Sequence, residues 1–425
     1  MVESFTQTTH VSWFSRIKGA IIGIPIGLLL LVVAVVLLWW NEGRAVTTAK
    51  SLKEGESLVV SLTELKPNAE NDGKLVHLTG EATTTEEVAD PVFGIHDTAI
   101  CLQRKVEMFQ WIEDESTRTR KKVGGGEERI TEYTYEKAWR EDRVNSDSFE
   151  HQQGHRNPST MPYVSDAWYA QHVSLGDFQL NTAQVRRIDR QTPVRIDDAR
   201  IATLQPAIRS QVLTKNGGLY IPADGVPSPS PAAQPPAAEA TAEATGLAES
   251  TGAPQVGDVR IAFTAVYPLE ISVIAKQVKQ TFKPYQTQAG DALDMLEEGT
   301  HSADEMIAEA AANNVRLTWI LRVVGFIVTC VGLGLVFGPL SVLADFIPLL
   351  GNLTRTVTGF VAVVLAIPIS LGTIGMSWLF YRPLLGGILL GAAFAVIAAV
   401  IFLLRARQAP ALTHDSGPDE IIDVG

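Results

Sequence analysis

Three apolar runs free of acidic residues crowd the C-terminal part of the chain and limit what it can fold into: Leu317–Phe337, Val357–Leu379 and Leu384–Leu404. A helix rises about 1.5 Å per residue, so roughly 21 such residues cross about 31 Å, the thickness of a bilayer's hydrocarbon core. A fourth run, Gly19–Trp40, stands alone near the N-terminus. It is longer than the apolar core of a secretory signal and ends in Trp39-Trp40-Asn41-Glu42, without a small-x-small cleavage pattern. It reads as an uncleaved span whose paired tryptophans sit at the membrane–water boundary. Everything from Asn41 to Arg316 is then one large segment outside the bilayer, tethered at both ends.

That segment reads as β-rich. Lys74–Thr79, Ala99–Ile112, Glu132–Trp139, Asp258–Val266 and Glu270–Thr281 are rich in Val, Ile, Thr, Tyr and Phe, with turn signals such as Asn71-Asp72-Gly73 between them. Lys105–Trp111 alternates polar and apolar, as a strand with one buried face does. Ser57–Leu62 reads as the first β-type sequence, after a linker or short helix over Asn41–Glu56. Thr117–Glu128 is charged and holds Gly124-Gly125-Gly126, so it reads as an exposed hairpin tip. Pro227–Ala253 is Ala/Pro-rich and cannot bury a core, which predicts a disordered insertion. Ser302 and Glu305 have capping-box spacing and open a helix that feeds into the second span.

The fold class that follows is a multi-pass α-helical membrane protein with four spans, one N-terminal and three C-terminal, and a large β-rich α+β extramembrane domain. Its divisions are a poorly ordered N-terminal tail (1–18), spans at 19–40, 317–337, 357–379 and 384–404, the domain at 41–316, and a C-terminal tail (405–425). Gly338–Arg355 is too broken to span, so 338–356 reads as an interfacial or re-entrant connection. Four crossings place both termini on one side, read as cytoplasmic.

Little in the chain points to chemistry. The formal net charge of −12 leaves no basic field for nucleic acid. Of the two cysteines, Cys101 lies in the domain and Cys330 in a span, which argues against a disulfide between them. His151 and His155 have the spacing of a zinc helix, but Gly154 and Pro158 disfavour a helix and no third ligand lies nearby, so they read as a polar loop. The Gly124–Gly126 run lacks the strand–turn–helix setting of a phosphate loop. No catalytic residue, cofactor or metal is assigned. In the spans Thr329, Ser370, Thr373 and Ser377 are the polar groups on offer, a thin basis for the alternative reading of a channel or transporter. Arg322, near the start of a span, reads as snorkelling to the interface. Gly332, Gly334, Gly386, Gly387 and Gly391 permit close helix packing, within one chain or between copies.

Several colinear strings carry a resemblance. Asn41-Glu42-Gly43-Arg44-Ala45 follows the first span; Leu75-Val76-His77, Asp90-Pro91 and Val106-Glu107-Met108 come next. Gln110-Trp111, Trp139-Arg140, Gly154-His155 with Asn157-Pro158-Ser159, and Leu379-Phe380-Tyr381-Arg382-Pro383-Leu384 complete the series. Together they resemble the transmembrane protein 43 (LUMA) family. The resemblance implies four spans, a large lumenal domain and self-association as a homo-oligomer, with no enzymatic activity. For animal members it implies the inner nuclear membrane and endoplasmic reticulum, with lamin and emerin as partners. The Ala/Pro-rich insertion and the lack of an Asn-x-Ser/Thr acceptor in the soluble segment favour a bacterial homologue in an inner membrane. Its partners would then be the lipid bilayer and membrane or periplasmic proteins. Asn41, Glu42, Gly43, Arg44, Tyr381, Arg382 and Pro383 flank spans where the chain turns at the interface, and they read as structural anchors. The function that follows is a membrane scaffold.

Overall fold

An edge strand, β1 (Glu3–Val11), precedes a single helix, α1 (Trp13–Leu58), that carries the first apolar run and continues well beyond it. The computed structural model describes residues 3–122, 125–225, 253–345 and 348–388. Among them, three helices are long and apolar enough to cross a membrane: α1, α2 (Ala303–Ala344) and α3 (Pro348–Tyr381). Of the expected fourth span, Leu384–Leu404, residues 384–388 are helical and the remainder lies outside the described residues, as does nearly all of the Pro227–Ala253 insertion.

Two expectations give way to longer helices. Asn41–Glu56 is not a linker, and of Ser57–Leu62 only Val60–Ser61 is strand, because α1 runs unbroken to Leu58. Ala45, Leu52 and Gly55 are buried at helical spacing, so tertiary packing overrides the β-type composition that follows. In place of an interfacial or re-entrant piece over 338–356, α2 continues to Ala344, the Asp345 N–H bonds the Ser341 carbonyl, and α3 begins at Pro348. Pro339 is accommodated inside α2.

Helices α1 and α2 approach closely where both lack a side chain. A Cβ on Gly27 would stand 2.6 Å from the Gly332 carbonyl oxygen, and one on Gly332 would stand 2.9 Å from that of Gly27. Gly386 packs against the backbone of Trp378 and Leu379. These small residues therefore serve contacts within the chain.

The domain consists of two main sheets on one apolar core. The larger contains β3 (Cys101–Lys121), β4 (Glu127–Arg140), β5 (Gly218–Ile221) and β6 (Val259–Val266), in the order β1-β4-β3-β6-β5. The smaller is built on β2 (Leu75–Thr83) and β7 (Leu269–Val278), which pair antiparallel from Leu75↔Lys276 to Ala82↔Leu269. Short strands at Thr281–Lys283, Phe178–Gln179 and Ser174–Leu175 lead from β7 back to β2 and close this ladder into a ring. Leu78, Val106, Met108, Ile261, Phe263 and Val273 fill the space between the sheets. The buried parity of β3 continues onto Gln110, whose side chain is satisfied by the Asp142 carbonyl at 3.0 Å and the Val144 N–H at 2.8 Å.

Beyond Ile112, β3 and β4 leave the core as a ribbon, paired out to Lys121↔Glu127. The N-terminal tail is not disordered: β1 lies along β4 from Glu3↔Tyr135 to Val11↔Glu127 and gives the ribbon a third strand. An open β4 edge with unpaired backbone groups supplies the reason. The tail, read as a unit separate from the domain, is thus an edge strand of its larger sheet.

At the start of α2 the expected capping box is complete. Ser302 Oγ accepts the Glu305 N–H at 3.3 Å, and the Glu305 carboxylate accepts the Ser302 N–H at 2.8 Å. That backbone bond, with help from the Ser302 hydroxyl, holds the Glu305 carboxyl below its ordinary range. A lowered folded-state pKa contributes stability above the unfolded value and loses it as pH falls through the folded one. Amide exchange at residues 303–306 is therefore expected to accelerate on acidification. Ser302→Ala should weaken the helix start by about 1 kcal/mol at neutral pH. Equal exchange in the two proteins at neutral pH would count against the box.

Candidate functional site: the junction of the spans and the domain

Asn41, Glu42, Gly43 and Arg44 occupy successive positions on α1, where each residue turns about 100° from the last. Asn41 and Arg44 therefore share one face, toward α2, while Glu42 and the bare Gly43 backbone face other neighbours. Asn41 Nδ2 donates to the Thr318 carbonyl of α2 at 3.1 Å. Arg44 donates to Asn314 Oδ1 at 2.9 Å and to the Thr318 hydroxyl at 3.0 Å, while Asn314 returns a bond to the Ala45 carbonyl. A Cβ on Gly43 would lie 2.7 Å from the Tyr381 ring, so only glycine lets α3 end so close to α1.

Glu42 lies at the centre of this junction and is fully buried. Its carboxylate accepts two bonds from Arg322 of α2, from Nε at 2.6 Å and Nη2 at 2.9 Å, and one from the Trp378 indole of α3 at 2.7 Å. Arg322 in turn lies over the rings of Trp319 and Trp378, at 4.8 and 5.7 Å from their centroids. A buried carboxylate is tolerated only when its charge and lone pairs are met. Here one guanidinium and one indole from two other helices meet them. Arg322 does not snorkel: its charge is met inside the bundle.

Of the other expected anchors, Tyr381 packs on Gly43 and faces Trp39, with ring centroids 6.3 Å apart. Arg382 breaks the helix after α3, and Pro383 opens the next helical turn, whose Gly386 N–H bonds the Arg382 carbonyl. Asn41, Glu42, Gly43, Arg44 and Tyr381 thus meet at one junction, and Arg382 and Pro383 follow it in the chain. Sequence reasoning missed Asn314, Thr318, Arg322 and Trp378. The signal for Arg322 was present: it is the one basic residue in the Leu317–Phe337 run, and Glu42 is the first acid after the N-terminal run.

A second polar cluster lies at the other end of the helices. Arg16 of α1 bonds Glu127 at 2.9 Å and Asp345 at 2.5 Å. Lys121 also pairs with Asp345, and Arg16 also donates to the Gly125 carbonyl. The Trp13 indole donates to the Val342 carbonyl at 3.0 Å. The hairpin tip, expected to be exposed, is docked here by ion pairs, and Glu127 is buried.

The histidine pair has a structural role. His155 is buried, with Nε2 3.0 Å from the Glu3 carboxylate, Nδ1 3.0 Å from the His151 carbonyl, and its ring stacked on Tyr135. Burial, reinforced by the Glu113 carboxylate, pushes the Tyr135 hydroxyl up to about 12, so it remains a donor at neutral pH. Among the described residues no group of three or more His, Cys, Asp or Glu is placed to hold a metal.

Removing one member of a buried, hydrogen-bonded ion pair leaves the other charge uncompensated, at about 3–5 kcal/mol. Glu42→Gln and Arg322→Gln should each lower the Tm of the full-length protein in detergent, and the double variant should lose less than the sum of the two. Strict additivity would mean that the two charges do not act as a pair.

Residues 108–383 match the family described as transmembrane protein 43. The chain is 30% identical to mouse transmembrane protein 43 over 96% of its own length and 95% of the mouse protein's. Against the human protein the identity is 30% over 93% of each chain. A Drosophila melanogaster transmembrane protein 43 homolog is 26% identical over 86% of this chain and 90% of its own. No solved structure matches.

Proposed function

Because the chain belongs to the transmembrane protein 43 family, we propose that it is a non-enzymatic integral membrane scaffold. In this reading it self-associates through its spans and organises membrane or envelope protein complexes around a large periplasmic or lumenal domain. The observation that carries this reading is the continuity of α1 and α2 from their apolar runs into the domain. Ser51 of α1 is within 2.8 Å of the Thr287 hydroxyl, and the Glu54 carboxylate accepts the Gln288 N–H. Leu52, Leu75, Ile274, Leu293, Met306 and Ile307 close an apolar cluster across both helices and the domain. A platform held this way keeps one orientation to the membrane, which a docking surface needs and a flexible tether would not provide.

In the same reading Leu384–Leu404 is a fourth crossing, opened by Pro383. Gly334 on α2 and Gly359, Gly372 and Gly375 on α3 have open space beyond them among the described residues, which suits a close contact with a second copy. The polar groups of the spans favour a scaffold over a channel. Thr329, Thr373 and Ser377 each donate to a carbonyl of their own helix, at 2.8 Å in each case.

Mass measurement of the full-length protein in nanodiscs tests the assembly. More than one copy per particle is expected, and Gly372→Leu with Gly375→Leu should shift the population toward single copies. Single copies at every protein-to-lipid ratio would remove self-association from the proposal.

A further inference from the structure

A cleft of about 440 Å³ opens between α1 and α2 just above the level where the helices leave their apolar runs. Its wall is apolar along Ala45, Ala49 and Leu52 on one side and Ile307, Ala311 and Val315 on the other. Its floor is Trp319, Arg322, Trp378 and Arg382. Trp39, Trp40, Trp319, Trp378 and Tyr381 all lie near this level, and such a belt of amphipathic rings marks the depth of lipid headgroups. Trp319 is 60% exposed and Val315 is 57% exposed, so among the described residues the cleft opens onto the outward face of α2.

The charges around this cleft do not cancel. Arg322 is neutralised by Glu42 and Arg44 is held by Asn314 and Thr318. Arg382, half-buried on the floor, has no carboxylate within ion-pair distance among the described residues, nor does Lys53 on the upper rim. The one acid in the lining is Glu56. A guanidinium forks well onto phosphate oxygens, and a basic pocket beside membrane helices draws anionic headgroups.

We propose that this cleft is a binding site for an anionic glycerophospholipid of the surrounding bilayer. Arg382 takes the phosphate, Lys53 faces the outer part of the headgroup, and the glycerol and upper acyl carbons lie against Trp319, Trp378 and Val315. The lipid so placed fills the groove between the two helices that join the spans to the domain. This goes beyond a scaffold role, since the site would exist whether or not the protein self-associates.

The test is native mass spectrometry of the full-length protein released from nanodiscs of phosphatidylcholine with a minority of phosphatidylglycerol. Phosphatidylglycerol is expected to be retained in preference to phosphatidylcholine. Arg382→Gln should weaken that retention roughly fivefold, the scale of one basic residue at a membrane surface. Arg382→Lys should keep most of it. Arg316, exposed and bonded to Asn313 outside the cleft, provides the control. Equal losses in Arg316→Gln and Arg382→Gln would reduce the effect to general surface attraction and overturn the site. So would equal retention of the two lipids by the unaltered protein. Unchanged Tm in each variant ties a loss to the cleft and not to unfolding.

Discussion

A buried carboxylate at the point where three helices leave the membrane constrains the rest of this structure. The Glu42 carboxylate is satisfied there only if Arg322 and Trp378 are brought to it, which fixes the axial register of α1 against α2 and α3. With that register set, Gly27 meets Gly332 further along the helices and Gly43 meets Tyr381 one residue away. A shift of one turn, about 5.4 Å, would set Gly27 against Val328 or Val336 in place of Gly332 and leave the ion pair broken. Polar specificity and apolar close packing therefore select the same alignment.

The same two helices then serve as part of the domain. Beyond Glu42, α1 continues for more than four turns, and its inner face joins α2 and the smaller sheet in a cluster that includes Leu52, Leu75 and Met306. The domain's larger core lies between its two sheets, with Val106, Phe263 and Val273 among its members. Load on the β-rich part is passed to the bilayer through helical rods, not through loops. This is the physical content of the scaffold reading.

Much of this was legible in the chain. The apolar runs, the Ser302–Glu305 box and the strands around Val106, Ile261 and Val273 follow from period and composition, because burial on one face leaves a repeat in the sequence. The ends of elements were less legible. The β-branched residues after Ser57 suggested a strand, but packing kept α1 helical to Leu58. The segment around Asp345 looked broken because of its proline and glycine, and a helix end with a charged cap explains it better. Pairings between distant residues left no periodic trace. Nothing near Glu3 announces β4 or His155, whereas the lone arginine of the Leu317–Phe337 run was the one hint of a partner for Glu42. The anchor residues were picked as flanks of the spans, where a turn was expected; at Asn41–Arg44 the chain does not turn, since α1 runs on to Leu58, and the partners of these residues needed the fold.

The docked ribbon bears on how the protein occupies a bilayer. Its strands extend from the domain to the far end of the apolar helices, where Lys121 and Glu127 meet Arg16 and Asp345. Between those ends β3 presents Glu113, Asp114, Glu115, Arg118 and Arg120, and β4 adds Glu128, Arg129 and Glu132. Hydrocarbon cannot solvate such a surface. A chain with lipid all around α1 must therefore release the tip, and with it the N-terminal strand. A chain that keeps the tip docked must turn the ribbon away from lipid, onto water or onto another copy. Insertion and strand pairing thus compete for the same 30-odd Å of helix, so the first eleven residues would register whether the helices stand in lipid or beside it.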